Sequence, residues 1–380
     1  MGQNRKILLT TITGHALVHS ITLVYPAIMI VLRNQFNVSL VELGELGTIQ
    51  FLFFGLGAFP AGWLVDRIGS RRVLIIYFWG LAASAFIITL AKSFLILAVG
   101  LGSLGLFAGL YHPAGLNLIS HTRKLSQNMG YHGISGSIGL AAGPLIGGGI
   151  AGFTDWRLAY ILLALVAAAG ALFTLTQVQP ESIESHSDTH PRLTLTSAHW
   201  VVFIVSALWG FAHHGLFNYL PLYFTEAVSW DGLADSAKGG LLTALVLVLG
   251  VIGQMVGGRL GESIPRRRLL AWVVGLNIPF LILMGYTQDM TLIIIVGILG
   301  AINFTYQPVN NSLIADITPA SSRGMIYGIS SGLGFGVGSF AATAGGYIGQ
   351  YYTLSQIFPV LSIVLIPAVL LSLTLVRDRK

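Results

Sequence analysis

Apolar positions fall in long blocks along this chain instead of alternating with polar ones. Twelve blocks of about 20 residues or more, each able to cross a hydrocarbon layer of roughly 30 Å as an α-helix, lie near 7–32, 40–65, 72–92, 94–118, 127–153, 157–178, 199–225, 236–261, 268–287, 290–314, 324–349 and 353–376. Most connections between them are too short to hold a soluble domain. One interval differs: residues 179–198 are polar and interrupted by proline, the composition of a linker, and His186 and His190 within it read as solvated. The pattern predicts an all-α membrane protein of twelve transmembrane helices. It divides into six-helix bundles over 1–178 and 199–380, joined by a cytoplasmic linker loop over 179–198.

Composition excludes the soluble alternative. Hydrophobic residues make up 54 % of the chain and charged ones 9 %, against roughly 25 % charged in soluble domains. The net charge of +6 is read as a topology signal that calls for no nucleic-acid partner. Sixteen cations, among them Arg5, Arg67, Arg71, Arg72, Arg123, Arg192, Arg259, Arg266–Arg268, Arg323 and Arg379, fall on the side shared by both termini, and only Arg33, Lys92, Arg157 and Lys238 fall on the other. By the positive-inside rule both termini are expected in the cytoplasm. The first apolar run is too long for a cleavable signal and lacks a small-residue cleavage site, so it is expected to stay as helix 1. Absence of cysteine rules out disulfides and thiolate metal sites.

The two halves are related by an internal repeat. Gly62-Trp-Leu-Val-Asp66-Arg67-Ile-Gly69-Ser-Arg71-Arg72 returns in degraded form 196 positions later as Gly258-Arg-Leu-Gly-Glu262-Ser-Ile-Pro-Arg266-Arg267-Arg268. At an offset of 195, Tyr111-His112-Pro113 is echoed by Tyr306-Gln307-Pro308, Gly133-Ile134-Ser135 by Gly328-Ile329-Ser330, and His19 and Pro26 by His214 and Pro221. Such duplication is a transporter architecture, with the substrate cavity between the halves near mid-membrane.

The Gly-x-x-x-Asp-Arg-x-Gly-x-Arg-Arg run resembles the loop signature of the major facilitator superfamily of membrane transporters, and the resemblance extends over nearly the whole chain, including Asp155-Trp156-Arg157. It implies that Asp66 sits near the N-terminus of helix 11, where unpaired N–H groups and a partial positive charge favour an anion, with Arg323 as ion-pair partner. Pseudo-symmetry sets Glu262 near Arg123 at the start of helix 5. Gly62, Asp66, Arg67, Arg323, Glu262 and Arg123 are therefore expected to gate the cytoplasmic side, while Arg71, Arg72 and Arg266–Arg268 read as topology anchors. In helix 5, Gly136, Gly139, Gly143 and Gly147 share one face and admit close helix packing, and Pro144 removes a backbone donor. That run is similar to the helix-5 motif of drug:proton antiporters, which implies export and adds Gly143 and Pro144 to the gating set. Tyr111-His112-Pro113-Ala114-Gly115 and helix 1 look like the fosmidomycin-resistance type of bacterial exporter, which implies a bacterial inner membrane.

No span carries a carboxylate at its centre, a departure from many proton-coupled members of that family, so histidine is the remaining titratable type. His15 and His19 share a polar stripe on helix 1, His213 and His214 lie halfway along helix 7, and His112 and His132 lie in helices 4 and 5. Imidazole titrates near pH 6.5 unperturbed. The alternative for each is a single interhelical hydrogen bond, worth roughly 0.6 kcal/mol. His19, His214, Tyr111, Asn218, Gln307, His15, His213 and His112 are the expected substrate contacts, and His19, His214 and His132 the expected proton carriers. Gln50, Tyr131, Tyr219, Gln254, Asn303, Tyr306, Asn310 and Asn311 are further polar candidates, with Tyr25, Trp209 and Phe217 for an apolar ligand face.

The expected function is a monomeric secondary transporter that exports a small organic molecule in exchange for protons across the lipid bilayer, with no enzymatic step and no cofactor. The alternative is a carrier of a transition-metal ion or chelate using histidines of helices 1 and 7, since imidazole is a common metal ligand; lack of cysteine and of mid-span carboxylates argues against a tight bare-metal site. No phosphate loop or His-Glu-x-x-His motif supports an enzyme.

Overall fold

The computed structural model describes residues 2–179, 195–319 and 322–377, so most of the expected linker, residues 180–194, lies outside the described residues. Twelve membrane-length helices occur among those described: α1 (Gln3–Phe36), α2 (Leu40–Ile68), α3 (Ser70–Thr89), α4 (Phe94–Ser120), α5 (Leu125–Phe153), α6 (Arg157–Gln177), α7 (Ser197–Ala227), α8 (Asp235–Ser263), α9 (Arg266–Met284), α10 (Asp289–Ile317), α11 (Arg323–Tyr351) and α12 (Leu354–Arg377). These match the apolar blocks, with two corrections. The third and ninth helices stop three residues early: α3 gives way to Ser93, whose side chain accepts from the Ile96 N–H as the α4 cap, and α9 ends in a tight turn at Gly285. The fourth and tenth are interrupted at Leu110 and Thr305. Pro113 and Pro308 each lack the N–H that would bond the carbonyl four residues earlier, so the break recurs at the 195-residue offset.

Local chemistry sets the ends. Ser39 and Glu42 cap α2 reciprocally, the paired arrangement that satisfies two orphan N–H groups. Gly69, the single residue between α2 and α3, has φ +82°, a conformation that costs other residues a Cβ clash. The loop-motif arginines close helix ends: Arg71 donates to the Leu175 carbonyl at the end of α6, and its repeat partner Arg267 to the Leu375 carbonyl of α12. They do more than mark topology, because each satisfies a terminal carbonyl.

Glycine faces bring backbones together in the same way in both halves. On α5, Cβ atoms at Gly136, Gly139, Gly143 and Gly147 would collide with His15, Ala16, Ser20 and Val24 of α1; on α11, those at Gly338 and Gly345 would meet Gly210 and Tyr219 of α7. Between the halves, α2 runs against α11 and α5 against α8. These seams are tight on the face opposite the termini. Leu40 N–H donates to Gln350 Oε1 at 3.1 Å, Thr48 donates to the Ser339 carbonyl at 2.8 Å, and Gly44 and Gly240 abut the backbones of Ala342 and Pro144. On the face carrying the termini, Cβ atoms at Gly62, Gly130, Gly133, Gly258, Gly324 and Gly328 would meet nothing within 4 Å. The bundles are closed together on the far face and stand apart on the terminal face. Outward-facing Phe86, Leu95, Leu165, Ile363 and Leu370 are exposed, the inverse of a soluble surface and suited to hydrocarbon.

Candidate functional site

Between the bundles lies a cavity of about 250 Å³. α1 supplies His19, Thr22 and Pro26; α2 supplies Phe51 and Phe54; α7 supplies Ser206, Trp209, His213, His214, Phe217 and Asn218. From α10 come Asn303, Phe304, Tyr306, Gln307, Asn310 and Asn311, and from α11 Ser330, Ser331 and Phe335. Among the described residues the lining holds no lysine, arginine, aspartate or glutamate. Its polarity comes from amides, hydroxyls and imidazoles set in aromatic rings, the mixture that orients a largely apolar ligand.

Each bundle anchors its histidines differently. In the N-terminal half His15 Nδ1 lies 2.7 Å from the backbone carbonyl of His132, and His15 Nε2 lies 3.2 Å from His19 Nε2. A carbonyl only accepts, so His15 carries its proton on Nδ1. Neutral His15 then presents a lone pair at Nε2, and His19 donates to it, leaving His19 Nδ1 as the open acceptor. The His15 ring stacks on His132 at 4.0 Å and meets His112 edge-on at 5.3 Å. Tyr111 stacks behind His15 at 5.5 Å and donates its hydroxyl to the Thr11 carbonyl.

In the C-terminal half the polar chain runs through amides. Asn277 donates to the Val273 carbonyl at 2.7 Å, so its oxygen receives the Asn303 amide at 3.2 Å, and the Asn303 oxygen in turn receives His213 Nδ1–H at 2.7 Å. His213 thus turns an unprotonated Nε2 away from that chain. His214 lies between the rings of Phe51 and Phe335, at 4.8 and 4.9 Å, and has no hydrogen bond among the described residues. Trp209 stacks on Tyr306 at 4.3 Å, and Ser206 joins the hydroxyls of Tyr306 and Ser330. The side-chain oxygens of Asn218 and Asn310 are buried without a protein partner among the described residues, that of Asn218 facing Gly47 of α2.

Of the residues expected at the substrate, His19, His213, His214, Asn218 and Gln307 line the cavity. Tyr111, His15 and His112 do not; Tyr111 is fully buried with its hydroxyl committed to α1, and His15 and His112 stand behind His19. His132 is buried in the α1–α5 seam. Gln50 is also buried, donating to the Thr22 carbonyl, and Tyr131 and Gln254 are not part of the lining.

The gating residues lie apart in this conformer. Asp66, Glu262 and Arg123 are exposed, and neither the Asp66–Arg323 nor the Glu262–Arg123 ion pair is found among the described residues. Arg323 donates instead to the carbonyls of Thr318 and Ala315 at 3.1 and 2.9 Å. The reason is geometric: both expected pairs bridge the halves on the terminal face, where the halves are separated. Arg67 lies over the Trp63 ring at 4.5 Å, Gly143 touches the Ser20 backbone, and the Pro144 carbonyl meets Gly240 of the other half. Phe51, Phe54, Phe335, Ser206 and Asn277 were not singled out from sequence. Ser206 and Asn277 carried a signal, as polar residues inside apolar spans.

Two six-helix bundles around a shared mid-membrane cavity closed on one face define a secondary transporter of small substrates. A profile of the Major Facilitator Superfamily matches residues 12–250 and 233–380, and the chain belongs to that family. It is 26 % identical to the probable sulfoacetate transporter SauU of Cupriavidus necator over 81 % of this chain and 80 % of that protein. It is 25 % identical to the multidrug resistance protein MdtG of Proteus mirabilis over 81 % of each. Its fold is similar to that of a bacterial homologue of the human lysosomal transporter Spinster in an inward-facing, occupied conformation, with TM-score 0.83 at 17 % identity, covering 99 % of this chain and 97 % of that one.

Proposed function

We propose that the protein exports an uncharged or weakly ionised aromatic organic molecule from a bacterial cytoplasm in exchange for protons, with both termini cytoplasmic and its terminal face the inner one. The carrying observation is His19, an imidazole at the cavity wall backed by His15 in a cavity with no fixed charge among the described residues. A permanently anionic substrate such as the sulfoacetate named for one relative would enter this cavity with no lysine or arginine to meet it. The aromatic walls and the open acceptor at His19 Nδ1 favour a ring-bearing molecule with at least one hydrogen-bond donor. The drug resistance named for another relative agrees with export, as does the glycine-proline face of α5.

The halves divide the work. At the 195-residue offset, His15, His112 and His132 correspond to Gly210, Gln307 and Tyr327, so the imidazole group is confined to the N-terminal bundle and the amide chain to the other. A proton taken up at His19 Nδ1 places a charge in an apolar cavity, a cost relieved while the cavity is hydrated. Substrate and proton then occupy the same wall alternately, and closure follows whichever leaves the cavity neutral. The test is flux in proteoliposomes: an imposed pH gradient should drive uphill movement of an aromatic probe such as a neutral or weakly basic dye. Gradient-indifferent flux in the parent protein would refute proton coupling, and gradient-driven flux of sulfonates alone would refute the substrate class.

Asp66 belongs to the opposite conformer, in which the terminal face is shut. Asp66→Asn should cut transport to about a tenth or less. Stability should stay within the ±0.5 kcal/mol usual for exposed sites, since Asp66 is exposed and makes no ion pair among the described residues. Parallel flux and thermal-unfolding measurements check this; full flux in the variant would dismiss the latch.

A further inference from the structure

His15, His19 and His112 form the one three-histidine group among the described residues whose ligand atoms all lie within 4.8 Å of one another. All three are half-buried, and they sit within one bundle, on α1 and α4. The pairing that a metal-cargo reading would use, between helices 1 and 7, is a different one. We propose that this group binds a divalent transition metal of the zinc type, distinct from the transported substrate and in competition with proton uptake at His19.

The geometry of two ligands is already close to that of a bound ion. Zinc–imidazole bonds of about 2.0–2.1 Å in a tetrahedron place neighbouring nitrogens roughly 3.3 Å apart. His15 Nε2 and His19 Nε2 are 3.2 Å apart, with a single hydrogen between them. An ion replaces that hydrogen when His19 shifts its proton to Nδ1. His15 also has the outer-sphere support usual for a metal-bound imidazole, since its Nδ1–H is held by the His132 carbonyl at 2.7 Å. His112 has no hydrogen bond among the described residues, so closing the remaining distance by a ring rotation breaks none. Three imidazoles leave a fourth position for water or another small donor, and His19 places it beside the cavity.

The donor set selects the metal. Imidazole suits zinc, cobalt, nickel and copper, whereas magnesium and calcium require oxygen ligands. The other titratable groups facing the site are His132 of α5, stacked on His15, and Tyr111 of α4. Because ligands must be neutral, protons compete and affinity falls as pH drops through the imidazole range.

Cobalt titration of purified, chelator-treated protein tests the site by spectroscopy, independently of any transport reading. Co2+ should bind one per chain and give the visible d–d bands of a four-coordinate ion, should be displaced by Zn2+, and should be unaffected by excess Mg2+. His112→Gln should weaken binding by more than the roughly 10–100-fold that loss of an outer-sphere partner costs. His199→Gln, on α7 and bonded to Thr196 and Thr318, should leave it unchanged. His112→Cys supplies the chain's sole thiol and should add a near-ultraviolet sulfur-to-cobalt band, which separates loss of a ligand from misfolding. Absence of saturable Co2+ binding, or binding that survives His112→Gln with no sulfur band in His112→Cys, would overturn the site.

Discussion

Gly44→Val is expected to reduce transport at least tenfold while leaving a folded, monodisperse protein. A Cβ at Gly44 would stand 2.9 Å from Thr343 Cα and from the Ala342 carbonyl carbon, backbone atoms of the other half that have no rotamer to yield. Overpacking of this kind costs about 1–3 kcal/mol, and about 1.4 kcal/mol is a factor of ten in an equilibrium. The strain falls only on the conformer whose far face is closed, so the population moves to the other one. Gly240→Val, which meets Gly148 Cα at 3.0 Å across the α5–α8 seam, should act in the same direction. Gly139→Val is the contrast, because it strikes the Ala16 backbone within its own bundle and should lower yield and thermal stability instead. Cysteine-pair cross-linking on the far face measures the shift. Unchanged cross-linking with unchanged flux in Gly44→Val would mean that this seam does not open during transport.

His19→Gln is expected to remove the response of flux to a pH gradient altogether, while downhill exchange of substrate persists at a reduced rate. Glutamine retains a hydrogen-bonding group at the cavity wall but cannot titrate. His214→Gln should alter affinity more than gradient response, since His214 sits between Phe51 and Phe335 and has no imidazole partner comparable to His15. Flux against pH in proteoliposomes decides between them, and a gradient response that survives in His19→Gln moves the proton site elsewhere.

Thermal unfolding of the parent with candidate aromatic ligands gives the complementary measurement. Ligand at 100 times its dissociation constant stabilises by about 2.7 kcal/mol, and the effect should weaken in the Asn218→Ala and Trp209→Ala proteins.

Much of this protein was legible from the order of its residues. Twelve apolar blocks became twelve helices because a chain in hydrocarbon has to satisfy its backbone within each segment, so length and composition suffice to place spans. The α5 glycine face was equally readable, since it depends on spacing along one helix, whereas the paired breaks before Pro113 and Pro308 emerged only in the structure. His19, His213, His214, Asn218 and Gln307 could be nominated because polar residues in spans face the interior.

What the sequence by itself determined, then, is the number of spans, the two-fold repeat and the pool of buried polar residues, all consequences of backbone chemistry and local periodicity. The tertiary structure alone decided how that pool is divided. His15 shares α1 with cavity residues yet stands behind the wall, and Tyr111 and His112 lie on α4, which sends no residue to the lining among those described, because helix rotation and the kink at Leu110 set which side chains reach the gap. The aromatic walls from Phe51, Phe54 and Phe335 arise where α2 meets α11, across the two halves. So does the separation of Asp66 from Arg323, since a contact between two rigid bundles depends on their relative tilt, which no run of neighbouring residues encodes.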